Sequence, residues 1–232
     1  MTFADVFRLF FAPREVTEIR AYGLNGKARG WEGFARGAGV VAGYFDDASA
    51  FELAAAALEA AKAPGIYFVL NPVNPALLAR GHNRLKAADQ KTNLTTDKDV
   101  LCLRWLYLDL DPIRPAGISS TDVELAAAVA VRDKIARALA EQWHVPEASL
   151  IKAISGNGAH LLLRLPDLPV EEKNVLLIKR LLSAAKHFWG TDQVDIDQTV
   201  YNPSRICKLY GTTARKGDST AERPHRKSFI QE

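Results

Sequence analysis

Along this chain, runs of alternating apolar and polar residues give way sharply to stretches with helical spacing. VTEIRAY (16–22) alternates as an edge or hairpin strand does, while VVAGYF (40–45) and IYFVL (66–70) read as further strands. Between the last two, SAFELAAAALEAAKAP (49–64) is a strong helix that Pro64 and Gly65 close, giving a β-helix-β pattern. Ahead of them MTFADVFRLFFAPRE predicts a short amphipathic helix, and a glycine-rich connection from Gly23 to Gly39 is interrupted by Trp31 and Phe34. Residues 72–100 are less regular. NPALLARGHNRL is a candidate helix, and TNLTTDKD (92–99) reads as a loop whose Asp97 and Asp99 are solvated.

The second half begins with LCLRWLYLDLDP (101–112), a long strand. A helix is expected from Ser119 to about Trp143, with Thr121 and Glu124 at capping-box spacing. LIKAI (150–154), the turn SGNG and HLLLRL (160–165) form a hairpin, because glycine supplies the backbone angles a tight turn demands. A second long helix starts near Pro169 and ends by Trp189 with Gly190 as its stop. VDID (194–197) and ICKLYGT (206–212) are short strands on either side of an NPSR turn. Long helices mixed with hairpin-connected strands argue against a doubly wound parallel sheet and for a mixed α+β fold of two lobes. We place an N-terminal α/β lobe at 1–100 and a second lobe at 101–232, together forming one domain.

Composition narrows this only moderately. Of 232 residues, 48% are apolar and 25% charged, an ordinary balance for a folded chain. A chain of that length buries roughly 70% of the surface its unfolded form exposes and needs no staples. The two cysteines, Cys102 and Cys207, sit in apolar surroundings; they read as buried small hydrophobes in a reducing, cytoplasmic setting and cannot build a structural zinc site. No apolar run approaches the length of a membrane span, and the N-terminus lacks a signal-peptide pattern. His82, His144, His187 and His225 lack ligand-like spacing. The net charge is +3, yet residues 201–232 alone carry seven basic and three acidic side chains, so the other 200 residues sum to −1. A phosphate-bearing partner could be met by that segment without a basic protein overall.

Chemistry gathers at three places. Asp109 and Asp111, two apart on a strand, point to one face together with Trp105 and Tyr107, while Leu106, Leu108 and Leu110 point to the other. Burying two neighbouring carboxylates without a counter-charge costs several kcal/mol or forces protonation. The pair therefore suits a divalent cation such as Mg²⁺ or Mn²⁺, or else it is an acidic strand end with Asp111 capping the turn at Pro112. SGNGAH (155–160) offers Ser155, the turn glycines Gly156 and Gly158 flanking Asn157, and His160 at the start of the next strand. Its exposed N–H groups can cradle an anion; the plainer reading is a tight hairpin that His160 caps. No Walker A pattern is present. A third carboxylate lies in VDID, at Asp195 or Asp197, and Arg205, Lys208, Arg215 and Lys216 follow within about twenty residues. Paired divalent ions require about three carboxylates, and the cations could neutralise a triphosphate or hold a template strand.

YLDLDP, SGNGAH and VDIDQTVYNPSRICKLYGTTARKG occur in that order. The series resembles the catalytic domain of the archaeo-eukaryotic primase superfamily, most closely the primase-polymerase domains of phages, plasmids and other mobile elements. The resemblance covers roughly residues 60–226. It implies a primase-like fold whose RRM-like antiparallel sheet carries the metal site. Asp109, Asp111 and Asp197 would be the metal ligands, with Asp195 the runner-up for the third. Ser155, Gly156, Asn157, Gly158, His160, Arg205 and Lys208 would contact the nucleotide, and Arg215 and Lys216 the template. Here four residues separate Ser155 from His160 instead of one, so backbone at Asn157 or Gly158 can replace the serine.

The implied reaction is primer synthesis or extension on single-stranded DNA from NTPs or dNTPs. Two Mg²⁺ or Mn²⁺ ions would serve it, with His160 orienting and stabilising charge. The resemblance also implies a helical accessory domain or helicase in the same polypeptide, of which this chain would be the N-terminal part. Three rivals remain: a metal-dependent nuclease, a sugar-nucleotide transferase, and a non-catalytic nucleic-acid-binding initiator module whose carboxylates are structural.

Overall fold

The computed structural model describes residues 1–24, 39–88 and 94–231. Most of the glycine-rich connection, with Trp31 and Phe34, and the first residues of the 92–99 loop lie outside the described residues. The chain is mixed α/β and divides into two units, Met1–Leu101 with Ser204–Thr213, and Cys102–Pro203 with Ala214–Glu232. Elements are numbered along the whole chain.

The first unit is built on β1 (Thr17–Tyr22), β2 (Val40–Phe45), β3 (Gly65–Val69), β4 (Lys86–Ala88) and β9 (Ile206–Lys208). They form a five-stranded sheet in the order β4-β2-β1-β3-β9, antiparallel at every pairing. Helix α1 (Phe3–Phe10) starts in a capping box between Thr2 and Asp5, which satisfies two N–H groups that have no partner within the helix. It packs on α2 (Ala48–Ala60), which in turn lies on β1, β2 and β3. Phe7, Phe10, Phe45, Phe51 and Phe68 fill the space between as buried rings, Phe10 meeting Phe68 edge-on at 5.1 Å.

Four sequence expectations change here. Ser204–Thr213, read as part of the second lobe, belongs to the first unit. Strand β3 is almost wholly buried and needs a partner for its second edge; β9 supplies it, with Tyr67 opposite Lys208 and Phe68 opposite Cys207. The NPALLAR segment is a 3-10 turn, Pro75–Arg80, whose first turn is capped by the Asn74 side chain. Asp97 is not merely solvated, for its Oδ1 accepts from the Ser204 N–H at 2.9 Å and from Ser204 Oγ, while Asp99 closes a capping box with Thr96. Cys207 is buried as expected, whereas Cys102 is half-buried.

The second unit holds β5 (Leu103–Pro112), β6 (Leu150–Ile154), β7 (Ala159–Leu168), β8 (Val194–Ile196) and β12 (Phe229–Ile230). Their order is β12-β6-β7-β5-β8, again antiparallel throughout. Two short strands, β10 (Thr213–Ala214) and β11 (Arg226–Lys227), pair separately. Helix α3 (Asp122–Trp143) opens with the expected Thr121–Glu124 capping box and packs on β5, β6, β7 and β8. Helix α4 (Glu172–Trp189) lies on β5 and β8. Arg132 of α3 is buried and donates to the Ala153 carbonyl, pairing with Asp133 at 2.7 Å. Among the described residues no helix is long and apolar enough to cross a membrane.

Candidate active site

Strand β5 is buried along its length except at two positions, Asp109 and Asp111. Its central place between β7 and β8 decides what those carboxylates meet. On one side Asp109 stands opposite His160 of β7. On the other, Asp111 stands opposite Asp195 of β8, and the next rung is closed by the Asp197 N–H donating to the Asp109 carbonyl at 2.9 Å. Residues directly opposite in an antiparallel pair share a face. The register therefore puts Asp109, Asp111, Asp195, Asp197 and His160 on one face of the sheet.

Each has its own electrostatic surroundings. Asp109, a quarter exposed, has His160 Nε2 at 3.4 Å; Tyr107 Oη lies 2.9 Å from the same ring nitrogen. Burial would push the Asp109 carboxyl up, but the positive form of His160, its hydrogen bond and that of Tyr107 together hold it below the usual carboxylate range. Asp111 goes the other way, pushed up by burial and then by the negative charge of Asp109, with Arg114 and Lys216 opposing. The two acids thus diverge, as closely spaced carboxylates must when both cannot be ionised at equal cost. Of the two acids opposite, Asp195 of β8 pairs with Lys186 of α4 at 2.7 Å, and Asp197, just past the strand, accepts at Oδ1 from the N–H and hydroxyl of Thr199.

Beside Asp111 opens a cleft of about 280 Å³ lined by Asp111, Arg114, Asp195, Lys216 and the 112–118 loop. Arg114 was not singled out from sequence. Its side chain is buried and 3.5 Å from Asp111, and it donates to the carbonyls of Pro112 and Ile118, so it braces the loop and supplies Asp111 with a counter-charge. The only sequence signal was a basic residue three positions beyond the carboxylate. The Tyr107–His160 contact was likewise beyond periodicity, since it depends on the register between two strands.

The glycine turn is tightly built. Ser155 Oγ accepts from the Gly158 N–H at 3.0 Å and donates to the Gly158 carbonyl, so the hydroxyl closes its own turn. Asn157 is buried and its Oδ1 accepts from the Ser120 N–H just ahead of α3. Gly156 has φ +103°, and a Cβ there would stand 2.6 Å from that of Ala214. A Cβ on Gly158 would lie 2.4 Å from the Leu110 carbonyl and 3.0 Å from Asp111 Oδ1. The turn is therefore pressed against the acidic end of β5.

Of the basic candidates, Arg215 and Lys216 belong to this unit, and Lys216 acts on both Asp109 and Asp111. Arg205 and Lys208 belong to the first unit. There Lys208 is buried, donates from Nζ to the Thr213 carbonyl at 3.1 Å and lies over the Tyr67 ring.

Among the described residues, no group of three His, Cys, Asp or Glu side chains is arranged to hold a metal ion. Mg²⁺ does not require one. It is commonly held by one or two carboxylates, with substrate phosphates and water completing its shell. Asp109 and Asp111, both partly exposed on one face, fit such an ion.

No protein-family profile matches the chain, and no curated protein does. Similar solved structures include the primase-polymerase AEP domain of cyanophage S-2L, 15% identical, with a TM-score of 0.49 over 100% of this chain and 88% of that one. Another is the polymerase domain of Mycobacterium tuberculosis Ligase D in complex with DNA, 15% identical, with a TM-score of 0.48 over 97% and 78% of the two chains.

Proposed function

We propose that this chain carries out template-directed nucleotidyl transfer, making or extending primers on single-stranded DNA with the help of Mg²⁺ or Mn²⁺. The observation that carries the reading is the cross-strand grouping at the end of β5: Asp109 and Asp111 beside His160 on β7, with Asp195 of β8 and Asp197 just past its end standing opposite. A divalent ion at Asp109 and Asp111 would activate an attacking 3′-hydroxyl and neutralise the phosphates it attacks. The protein's own groups do the rest. Asp109 stays ionised through His160 and Tyr107. Lys216 adds positive charge next to the carboxylates, where a triphosphate needs it. His160, fixed between Tyr107 and Asp109, orients its ring toward developing charge and is not required as a general base. Asp195 or Asp197 would supply the third carboxylate once released from Lys186 or Thr199.

The test is a primed single-stranded template with labelled nucleotides and Mg²⁺ or Mn²⁺. Extension beyond the primer supports the reading, and Asp109→Asn or Asp111→Asn should reduce it about a thousandfold or more, roughly 4 kcal/mol in the barrier. A shortened template would make the protein a nuclease. A mobility shift with no new product, unchanged by either substitution, would make it a binding module with structural carboxylates.

A further inference from the structure

Helix α4 is apolar over a wider arc than its own unit covers. Ile178 and Leu182 are its buried residues. At roughly 100° per residue, Leu177, Leu181, Ala184 and Phe188 form a second line beside them, and all four are exposed; Phe188 shows 75% of its surface and Leu177 46%. The spacings of four, three and four residues are those of the d and a positions of a heptad seam.

One edge of this stripe is basic. Lys173, Arg180 and His187 recur every seven residues, each one position before an a site, which is where a seam places the charges that choose its partner. The other basic residues of the helix are engaged within the unit, Lys179 over the Tyr201 ring and Lys186 with Asp195. Arg180 and His187 make no ion pair among the described residues, and Lys173 pairs only with the neighbouring exposed Glu171. Glu172, the acidic residue within α4, projects well away from the stripe.

We propose that this face docks an amphipathic helix whose apolar seam is bordered by acidic residues. The basic row selects that partner over a second copy of this chain. Two copies laid antiparallel would set one basic row, with Arg180 at its centre, against the other. Laid parallel, they would require Ile178 and Ala185 at the contact, and Ile178 is already buried against its own unit. Apolar contact supplies affinity on such a surface, and the charged edge supplies discrimination.

The probe is a labelled helical peptide of three heptads with Leu at a and d and Glu at e and g, a pattern whose own self-pairing is opposed by repulsion. Its control carries Lys at e and g. Binding is followed by fluorescence polarisation and self-association of the protein by sedimentation. We expect the Glu peptide to bind at least about tenfold more tightly than the Lys peptide. The double variant Leu181→Ser, Phe188→Ser should lose about tenfold or more of that binding with its far-UV circular dichroism unchanged. The exposed charge reversal Lys173→Glu, Arg180→Glu should turn the preference toward the Lys peptide. Equal binding of both peptides, absence of binding, or self-association abolished by Leu181→Ser, Phe188→Ser would each overturn the proposal, the last by assigning the face to a second copy.

Discussion

Each unit carries two charged residues spaced two apart on one strand, and the two pairs have been treated in opposite ways. On β1, Glu18 and Arg20 are of opposite sign. Glu18 is fully buried, accepts from Arg20 Nε and Nη2 at 2.7 and 3.0 Å, and takes a further bond from the Thr95 N–H at 2.8 Å. Burial would lower the Arg20 pKa, but the bonds and charge of Glu18 hold it above its ordinary value. On β5, Asp109 and Asp111 are of the same sign and partly exposed, with the His160 imidazole 3.4 Å from the first and the Arg114 guanidinium 3.5 Å from the second. A carboxylate that serves the fold is closed off by short bonds to a guanidinium. The like-charged pair on β5 has no such closure and stays half-open.

The largest effect that could break this comparison is on the first pair. Arg20→Ala would leave the Glu18 carboxylate buried with its main partner gone, and removing one member of a buried pair costs about 3–5 kcal/mol. Urea denaturation followed by tryptophan fluorescence should show a loss of that size. A loss below about 1 kcal/mol would mean that Glu18 is no more dependent on its partner than the β5 acids are.

Gly158→Ala should act on both sides of the comparison at once. The added Cβ would press on the Leu110 carbonyl and Asp111 Oδ1, and overpacking of this kind typically costs about 1–3 kcal/mol. Because the displaced backbone carries Asp111, primer extension should fall by more than thermal stability alone accounts for at a temperature where the variant is folded. Loss of stability with full turnover would show that the position of Asp111 is not demanding.

Much of this arrangement was legible in the residues. The LYLDLDP alternation placed Asp109 and Asp111 on one face, and the glycines of SGNG placed a turn directly before His160. What alternation cannot supply is register. That Asp109 meets His160, and Asp111 meets Asp195, depends on how three strands slide against one another, and the physical determinants of that slide are spread over the whole hairpin. The destination of Ser204–Thr213 was hidden for the same reason: ICKLY is a plausible strand for either sheet, and only the unpaired edge of β3 selects one. Asp97 looked like any polar loop residue because its partner, Ser204, is more than a hundred positions away.

A smaller effect tests whether a paired surface acid resembles the Glu18 case in miniature. Asp167 accepts from Arg104 Nε at 3.0 Å and Nη2 at 2.7 Å, and these bonds, with Arg164 assisting, outweigh burial and lower its pKa from 3.8 to about 2. A carboxyl whose pKa is lower folded than unfolded contributes stability that is complete above the unfolded value and vanishes as pH falls through the folded one. The window is therefore about pH 4 down to pH 2. Fully realised, the lowering would amount to roughly 2.5 kcal/mol, but the side chain is 42% exposed, and solvent screening brings the expectation to about 1 kcal/mol. Asp167→Asn should flatten the acid limb of a stability-against-pH curve by that amount and leave stability unaffected by pH changes above pH 5.

Smallest in energy, and sharpest for the comparison, is Asp111→Asn. The substitution removes a carboxyl whose pKa is pushed up by burial and by Asp109, so it relieves repulsion across the strand at the loss of one long contact with Arg114. With the side chain 46% exposed, water screens most of that relief, and a rise in Tm of roughly one to three degrees at neutral pH is expected. Turnover should disappear in the same protein. Arg20→Ala, by contrast, should lower stability and leave turnover per folded molecule intact. If Asp111→Asn instead destabilises the chain as Arg20→Ala does, Asp111 is a structural acid bound to Arg114, and the two strands carry their charges for the same purpose.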